Sequence, residues 1–245
     1  MKLDALAFGA HPDDVELCCG GTLVKLGAMG YKTGTITLTR AELGTNGNTE
    51  IRAREFTEAG KIMGLSITKS LDIPDGNVQV TEENKLKIIR EIREYRPRII
   101  FVHYWVARHP DHEYGSYLVR DAAYLAGLKK IDTGQKPHRP NKIIFYANRY
   151  EFNPSFIVDI SEYHDKKIEA IRAYKSQFFT KQHDEKTGEI TYISRPEFFE
   201  SIITRAKQYG IYIGAQFGEP FLVREALKID DPVAYFGPEF LQSIP

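Results

Sequence analysis

Cysteine is scarce in this chain: there are two, adjacent, at Cys18 and Cys19. Neighbouring cysteines are poorly placed for an unstrained disulfide, and two thiols build no secreted-type framework. They read as small side chains packing the start of a helix, with a two-thiolate metal site as the lesser alternative. Long apolar runs are missing too, since none approaches the ~20 residues that a membrane-spanning helix needs. No charge of one sign dominates: Lys+Arg and Asp+Glu are 33 each. Without a global field, neither nucleic acid nor an anionic membrane is an expected partner. The chain opens directly into an apolar run at 3–9, with no basic stretch and cleavage site ahead of it, so a cytoplasmic location is expected. It also lacks the G-x-G-x-x-G, G-x-x-x-x-G-K-[ST] and G-x-S-x-G strings of dinucleotide, phosphate and serine-nucleophile sites.

What remains is ordinary globular composition, 42% apolar and 27% charged. Buried strands are expected at 3–9, 32–39, 67–71 and 98–103, each a short β-branched or apolar run. Helices are expected between them: from Gly20 to about Met29, over 50–63, and from a Thr81 cap to Tyr95. A further helix is expected over 113–126. Strands at 142–148 and 156–160 follow, then a helix capped by Ser161 with Ile168, Ile171, Tyr174 and Phe178 inward. Residues 180–195 read as a mobile loop, Pro196 opens a last helix, and 218–245 reads as a C-terminal extension with one strand at 220–224. Alternation of this kind predicts α/β architecture, a Rossmann-like three-layer sandwich with a mostly parallel central sheet, in a single domain over 1–245.

Two short strings stand out: His11-Pro12-Asp13-Asp14 and His109-Pro110-Asp111-His112. Each follows a predicted buried strand, and in open α/β sheets ligands bind outside the carboxyl ends of the strands. His11, Asp14 and His112 together offer the nitrogen and oxygen donors of a catalytic zinc site with one position left for water. Zinc would lower the pKa of that water from about 15.7 towards about 7. Asp13, between two ligands, is the expected general base. His109 is a candidate to stabilise a developing oxyanion, and Asp111 a candidate to orient it and keep it protonated. His103, His138, His164 and His183 read as surface or packing residues. Two other functions use the same donors: a non-haem iron oxygenase, and a metal-bearing binding protein without catalysis.

At these residues the chain resembles the LmbE-like, or PIG-L, deacetylase superfamily, whose AHPDD and HPDH signatures appear at 10–14 and 109–112. The resemblance extends through Arg52 and Glu55, PHR at 137–139, VDIS at 158–161 and AYKSQF at 173–178. Within the superfamily it is most similar to bacillithiol-biosynthesis deacetylases of the BshB type. The resemblance implies removal of acetate from an N-acetylglucosamine derivative, N-acetylglucosaminyl malate in the BshB case, with Zn2+ as cofactor and Fe2+ as the alternative. It places metal ligands on His11, Asp14 and His112, the base on Asp13, and the oxyanion dyad on His109 and Asp111. It puts substrate contacts on Arg52 and Arg108, whose guanidinium forks suit a malate carboxylate. It also implies a homo-oligomer, a hexamer among the options; the aromatic Tyr235, Phe236 and Phe240 read either as subunit contacts or as local packing. Some relatives carry a mobile tyrosine near the site; here Phe198 falls near that place, with Tyr192 as a substitute.

Overall fold

The computed structural model describes residues 1–178 and 189–236. Its strands are β1 (Ala5–Gly9), β2 (Thr33–Thr37), β3 (Ile67–Ser70), β4 (Ile99–His103), β5 (Lys142–Tyr146), β6 (Phe156–Asp159) and β7 (Gly218–Leu222). The helices are α1 (Asp14–Ala28), α2 (Thr49–Met63), α3 (Glu82–Tyr95), α4 (Pro110–Leu125), α5 (His164–Arg172), α6 (Pro196–Ile211) and α7 (Pro232–Tyr235). His183 and Phe240 lie outside the described residues, as does most of the loop expected at 180–195.

The strands join one seven-stranded sheet in the order β3-β2-β1-β4-β5-β7-β6. β1 to β5 run parallel, and β7 is antiparallel to both of its neighbours. Along β1 the side chains alternate between faces, as pleating requires. Ala5 and Ala7 pack with Leu23, Phe56 and Ile171, so α1, α2 and α5 cover one face. Leu6 and Phe8 pack with Ile92 and Leu118, so α3 and α4 cover the other. Both faces are dry, which is why β1 reads as an unbroken apolar run rather than an alternating one. The result is the mostly parallel three-layer α/β sandwich that the sequence predicts.

Two helices start earlier than their sequence signals. α1 begins at Asp14, not Gly20, and is interrupted at Cys19, whose φ of −139° and ψ of 16° are not helical. The segment beyond this break exposes free N–H groups, as any helix start does. The Glu219 carboxylate accepts from Gly21 N at 3.0 Å and Thr22 N at 2.7 Å. Lys167 Nζ, 2.7 Å from the same carboxylate, balances its charge. A Cβ at Gly21 would sit 2.7 Å from Ile160 Cδ1 and 3.1 Å from both Ile160 Cβ and Glu219 Oε1, so glycine lets the backbone approach closely here. α4 begins at Pro110, not Glu113, with His109 as its cap. Its first turn therefore carries Asp111 and His112 on rigid backbone.

The chain reverses direction across the sheet between β1 and β4, leading to β2 and β3 on one side and β5 on the other. The crevice at such a switch point is the default ligand site of this architecture. Both histidine strings leave strands at that crevice.

Candidate active site

The first string turns sharply after β1. Asp13 has φ 103°, a left-handed backbone that costs a non-glycine residue about 1–3 kcal/mol and persists only where its surroundings hold it. Arg52, near the start of α2, holds it: Nη2 donates to Asp13 Oδ2 at 2.8 Å and also to Pro12 O. The turn sends Asp13 and Asp14 to different places. Asp14 lies inward at 3% exposure and Asp13 is also buried, at 7%.

Three groups converge. His112 Nε2 lies 3.2 Å from Asp14 Oδ1 and 3.3 Å from His11 Nδ1, and His11 Nδ1 lies 3.6 Å from Asp14 Oδ2. Zinc–ligand bonds of 2.0–2.1 Å in a tetrahedron imply donor separations of about 3.3–3.4 Å. The donor set and its spacing therefore fit one divalent cation. Among the described residues a second grouping of metal-capable residues, His11, His109 and Asp111, shares the His11 ring.

Behind these groups stands a shell of orienting partners. His11 Nε2 meets Asp75 Oδ1 at 2.9 Å and Asp111 Oδ2 at 3.4 Å, leaving Nδ1 to face Asp14 and His112. Asn148 Nδ2 lies 3.3 Å from Asp14 Oδ1 and 3.2 Å from His112 Nδ1. His103, at 1% exposure, places Nε2 3.1 Å from both Ala10 N and Asp14 Oδ2. Such partners fix ring orientation and ligand basicity in metal sites.

The electrostatics follow from this packing. Burial pushes the Asp14 carboxyl up, but the imidazoles of His112 and His103 overcome it and hold it well below the usual range. At Asp13 burial wins over the Arg52 charge, with help from the Asp14 charge, and the carboxyl is raised. Burial disfavours the charged His11 ring, yet hydrogen bonds to Asp111, Asp14 and Asp75 raise it well above its ordinary value. His109 and His112 are both lowered, by burial first, with neighbouring imidazoles adding to it.

Two expected relationships come out differently. Asp111 does not reach the His109 ring with its carboxylate; it accepts from Gly76 N at 2.7 Å and Val78 N at 3.1 Å and turns towards His11. What joins the pair is the cap of α4, in which His109 Nδ1 accepts from Asp111 N at 3.2 Å. That bond fixes a neutral ring with its proton on Nε2. Arg52 is buried at 4% exposure against Asp13, whereas Arg108 is exposed, with its guanidinium carbon 5.9 Å from the Tyr192 ring centre. Tyr192 in turn meets the Phe198 ring edge-on at 5.3 Å.

Sequence reading missed His103, Asn148 and Asp75. His103 ends β4 and Asn148 lies just beyond β5, so the carboxyl-end rule that located the two strings would have found both. His138 and His164 are packing residues as expected: one meets Pro97 O at 2.7 Å, the other stacks on Phe217 at 3.6 Å.

Fold and site together define an α/β protein with a His/Asp/His metal-capable group at the sheet's switch point. The sequence profile of the PIG-L family, described as GlcNAc-PI de-N-acetylase, matches residues 6–123. The diacetylchitobiose deacetylase of Thermococcus kodakarensis is 31% identical over 188 residues, covering 71% of this chain and 69% of that protein. A probable N-acetyl-alpha-D-glucosaminyl L-malate deacetylase 2 of Bacillus anthracis is 27% identical, covering 70% of this chain and 80% of its own. The crystal structure of the conserved protein TT1542 from Thermus thermophilus superposes with a TM-score of 0.83 at 37% identity, covering 93% of this chain and 98% of that one. The chain belongs to the PIG-L, or LmbE-like, deacetylase family.

Proposed function

We propose that this protein hydrolyses the acetamide of an N-acetylglucosamine derivative to the free amine and acetate, N-acetylglucosaminyl malate being the first-choice substrate. The observation that carries the reading is the convergence of His11 Nδ1, Asp14 and His112 Nε2, with buried Asp13 next in sequence. These three residues would hold Zn2+, with Fe2+ as the alternative, and such an ion acidifies water and polarises the amide carbonyl. Asp13 takes the proton from the attacking water; its raised pKa suits a base that must later return that proton to the leaving nitrogen. His109 donates from Nε2 to the developing oxyanion as a neutral imidazole. Arg52 fixes the Asp13 carboxylate, and the substrate's distal part is left to groups nearer the surface, Arg108 among them.

The relative acting on diacetylchitobiose supports a second reading, a neutral disaccharide in place of the malate glycoside. An oxygenase has no such support. A cytoplasmic setting and a closed homo-oligomer, up to a hexamer, belong to the same proposal. The exposed Tyr235 and Phe236 side chains, 60% and 51% accessible, are its candidate contacts.

The test is acetate release from N-acetylglucosaminyl malate, diacetylchitobiose, N-acetylglucosamine and a mycothiol-type precursor, before and after chelation and with zinc or iron restored. Turnover that disappears with the metal and returns with it is expected. Undiminished turnover by the metal-free protein would overturn the proposal, and preference for a neutral sugar would overturn its malate assignment.

A further inference from the structure

We propose that Tyr174 is a positioning residue for the Asp13 base: its ring seats the Arg52 guanidinium that holds Asp13, and Glu16 holds the ring. The inference rests on the deacetylase reading and extends it by one layer, from the base to what fixes the base.

Arg52 alone is an incomplete restraint. Among the described residues both hydrogen bonds of its guanidinium leave from one nitrogen, Nη2, to Pro12 O and Asp13 Oδ2, while buried Nη1 has no partner. A planar group held at one corner can pivot about it. Glu55, one turn further along α2, is occupied elsewhere: its carboxylate oxygens accept from Ser176 N and Ser176 Oγ, each at 2.7 Å. What faces the guanidinium is the Tyr174 ring, with the Arg52 Cζ 5.3 Å from its centre. Both side chains are buried, and a cation is drawn to a ring face most strongly where water is excluded.

The ring is itself held. Tyr174 lies just beyond α5, and its hydroxyl donates at 3.0 Å to Oε1 of Glu16, on the first turn of α1. Burial pushes the phenol well above its ordinary value, with the Glu16 charge adding to it, so it stays an O–H donor. A buried tyrosine hydroxyl needs such a partner. Contacts from Glu16 through Tyr174 and Arg52 to Asp13 therefore close on the turn they started from. Asp14 is held by other groups: His11 N at 2.8 Å, His103, His112 and Asn148. Loss of the Tyr174 ring should loosen the base and spare the metal-capable group.

The experiment measures acetate release by Tyr174→Phe and Tyr174→Met on metal-loaded protein. The first keeps the ring face and should hold kcat within about threefold. The second fills the space without a ring and should lower kcat about 5- to 30-fold, with KM and bound metal unchanged. Combined with Arg52→Lys, which removes the planar fork, Tyr174→Met should cost little more, because the two side chains act as a unit. Equal kcat in the two Tyr174 variants, a loss carried by KM or by metal content, or full additivity with Arg52→Lys would overturn the proposal. Should Tyr174→Met fail to fold, pentafluorophenylalanine at position 174 keeps the ring's shape and reverses its quadrupole. A kcat below that of Tyr174→Phe is then expected, and an equal kcat overturns the assignment. If the unaltered protein releases no acetate from any acetylated glucosaminide, the deacetylase reading fails, and positioning is judged by NMR of the Arg52 side chain. Rotation of its Nη groups that is slow in the unaltered protein and in Tyr174→Phe but faster in Tyr174→Met supports it. Equal rotation rates in all three end it.

Discussion

The His103 imidazole lies flat on that of His112, ring centres 4.2 Å apart and planes within 6° of parallel, while its Nε2 stands 3.1 Å from Asp14 Oδ2. One buried side chain therefore braces two of the three metal-capable groups. His103→Phe keeps the ring and its stacking but removes the nitrogen facing Asp14. Metal affinity should fall about 10- to 100-fold, the usual loss when an orienting partner is removed. Chelator competition measures it, and an unchanged dissociation constant would show that His103 only fills space. A merely structural role would lower the melting temperature of the metal-free protein without moving the affinity.

A second prediction concerns the break in α1. Glu219 is 1% exposed and Lys167 3%, so the ion pair between them is shielded from water. Glu219 has further partners in Gly21 N, Thr22 N and the Thr22 hydroxyl, which donates at 2.6 Å. Lys167→Met would leave that carboxylate buried without its counter-charge. Breaking a buried pair this way costs about 3–5 kcal/mol, or roughly 6–20 °C of melting temperature in a chain of this size. A shift under about 2 °C in a thermal melt, well below that range, would mean that the backbone donors alone satisfy Glu219.

The same region explains which parts of the fold were legible in the sequence. β1 and β4 are readable because strands covered on both faces become short apolar runs. The two histidine strings are readable because they closely follow those runs. The start of α1 was not, because Gly20-Gly21-Thr22 looks like a helix entry and is instead a break capped from β7, almost two hundred residues later in the chain. Nor was the place of β7: the strand was visible as an apolar run, but its insertion between β5 and β6 depends on pairing that no local pattern encodes. The site divides along the same line. Side chains in the strings announce their chemistry, whereas His103, Asn148 and Asp75 act by reaching across from other loops.

The adjacent cysteines give a prediction of a different sort. Burial pushes the Cys18 thiol up to about 12 and Cys19 well above its ordinary value. The thiolate is the reactive form, so native protein at about pH 8 should resist alkylation by iodoacetamide, and both thiols should react once it is unfolded. The sign for stability follows. In the unfolded chain the thiols lose protons near pH 8.5, while in the folded chain they keep them, so stability is fully present below about pH 8.5 and declines as pH rises above it. Rapid stoichiometric labelling of folded protein, read by mass spectrometry, would contradict the burial argument.

The adjoining acids Asp13 and Asp14 should fail in different ways when each loses its charge. Asp13→Asn keeps the size of the side chain, and Asn tolerates the left-handed backbone at φ 103° better than most residues, so the turn should survive. It cannot accept a proton as a carboxylate does, and turnover should fall about 10²- to 10⁴-fold with bound metal unchanged. Asp14→Asn removes the charge that faces His112 at 3.2 Å and His103 at 3.1 Å. Here metal content itself should drop, and activity with it, and excess metal should recover part of both. Metal analysis beside acetate-release rates separates the two. If Asp13→Asn lost its metal, or Asp14→Asn kept it at full occupancy, the division of labour between ligand and base at this turn would have to be abandoned.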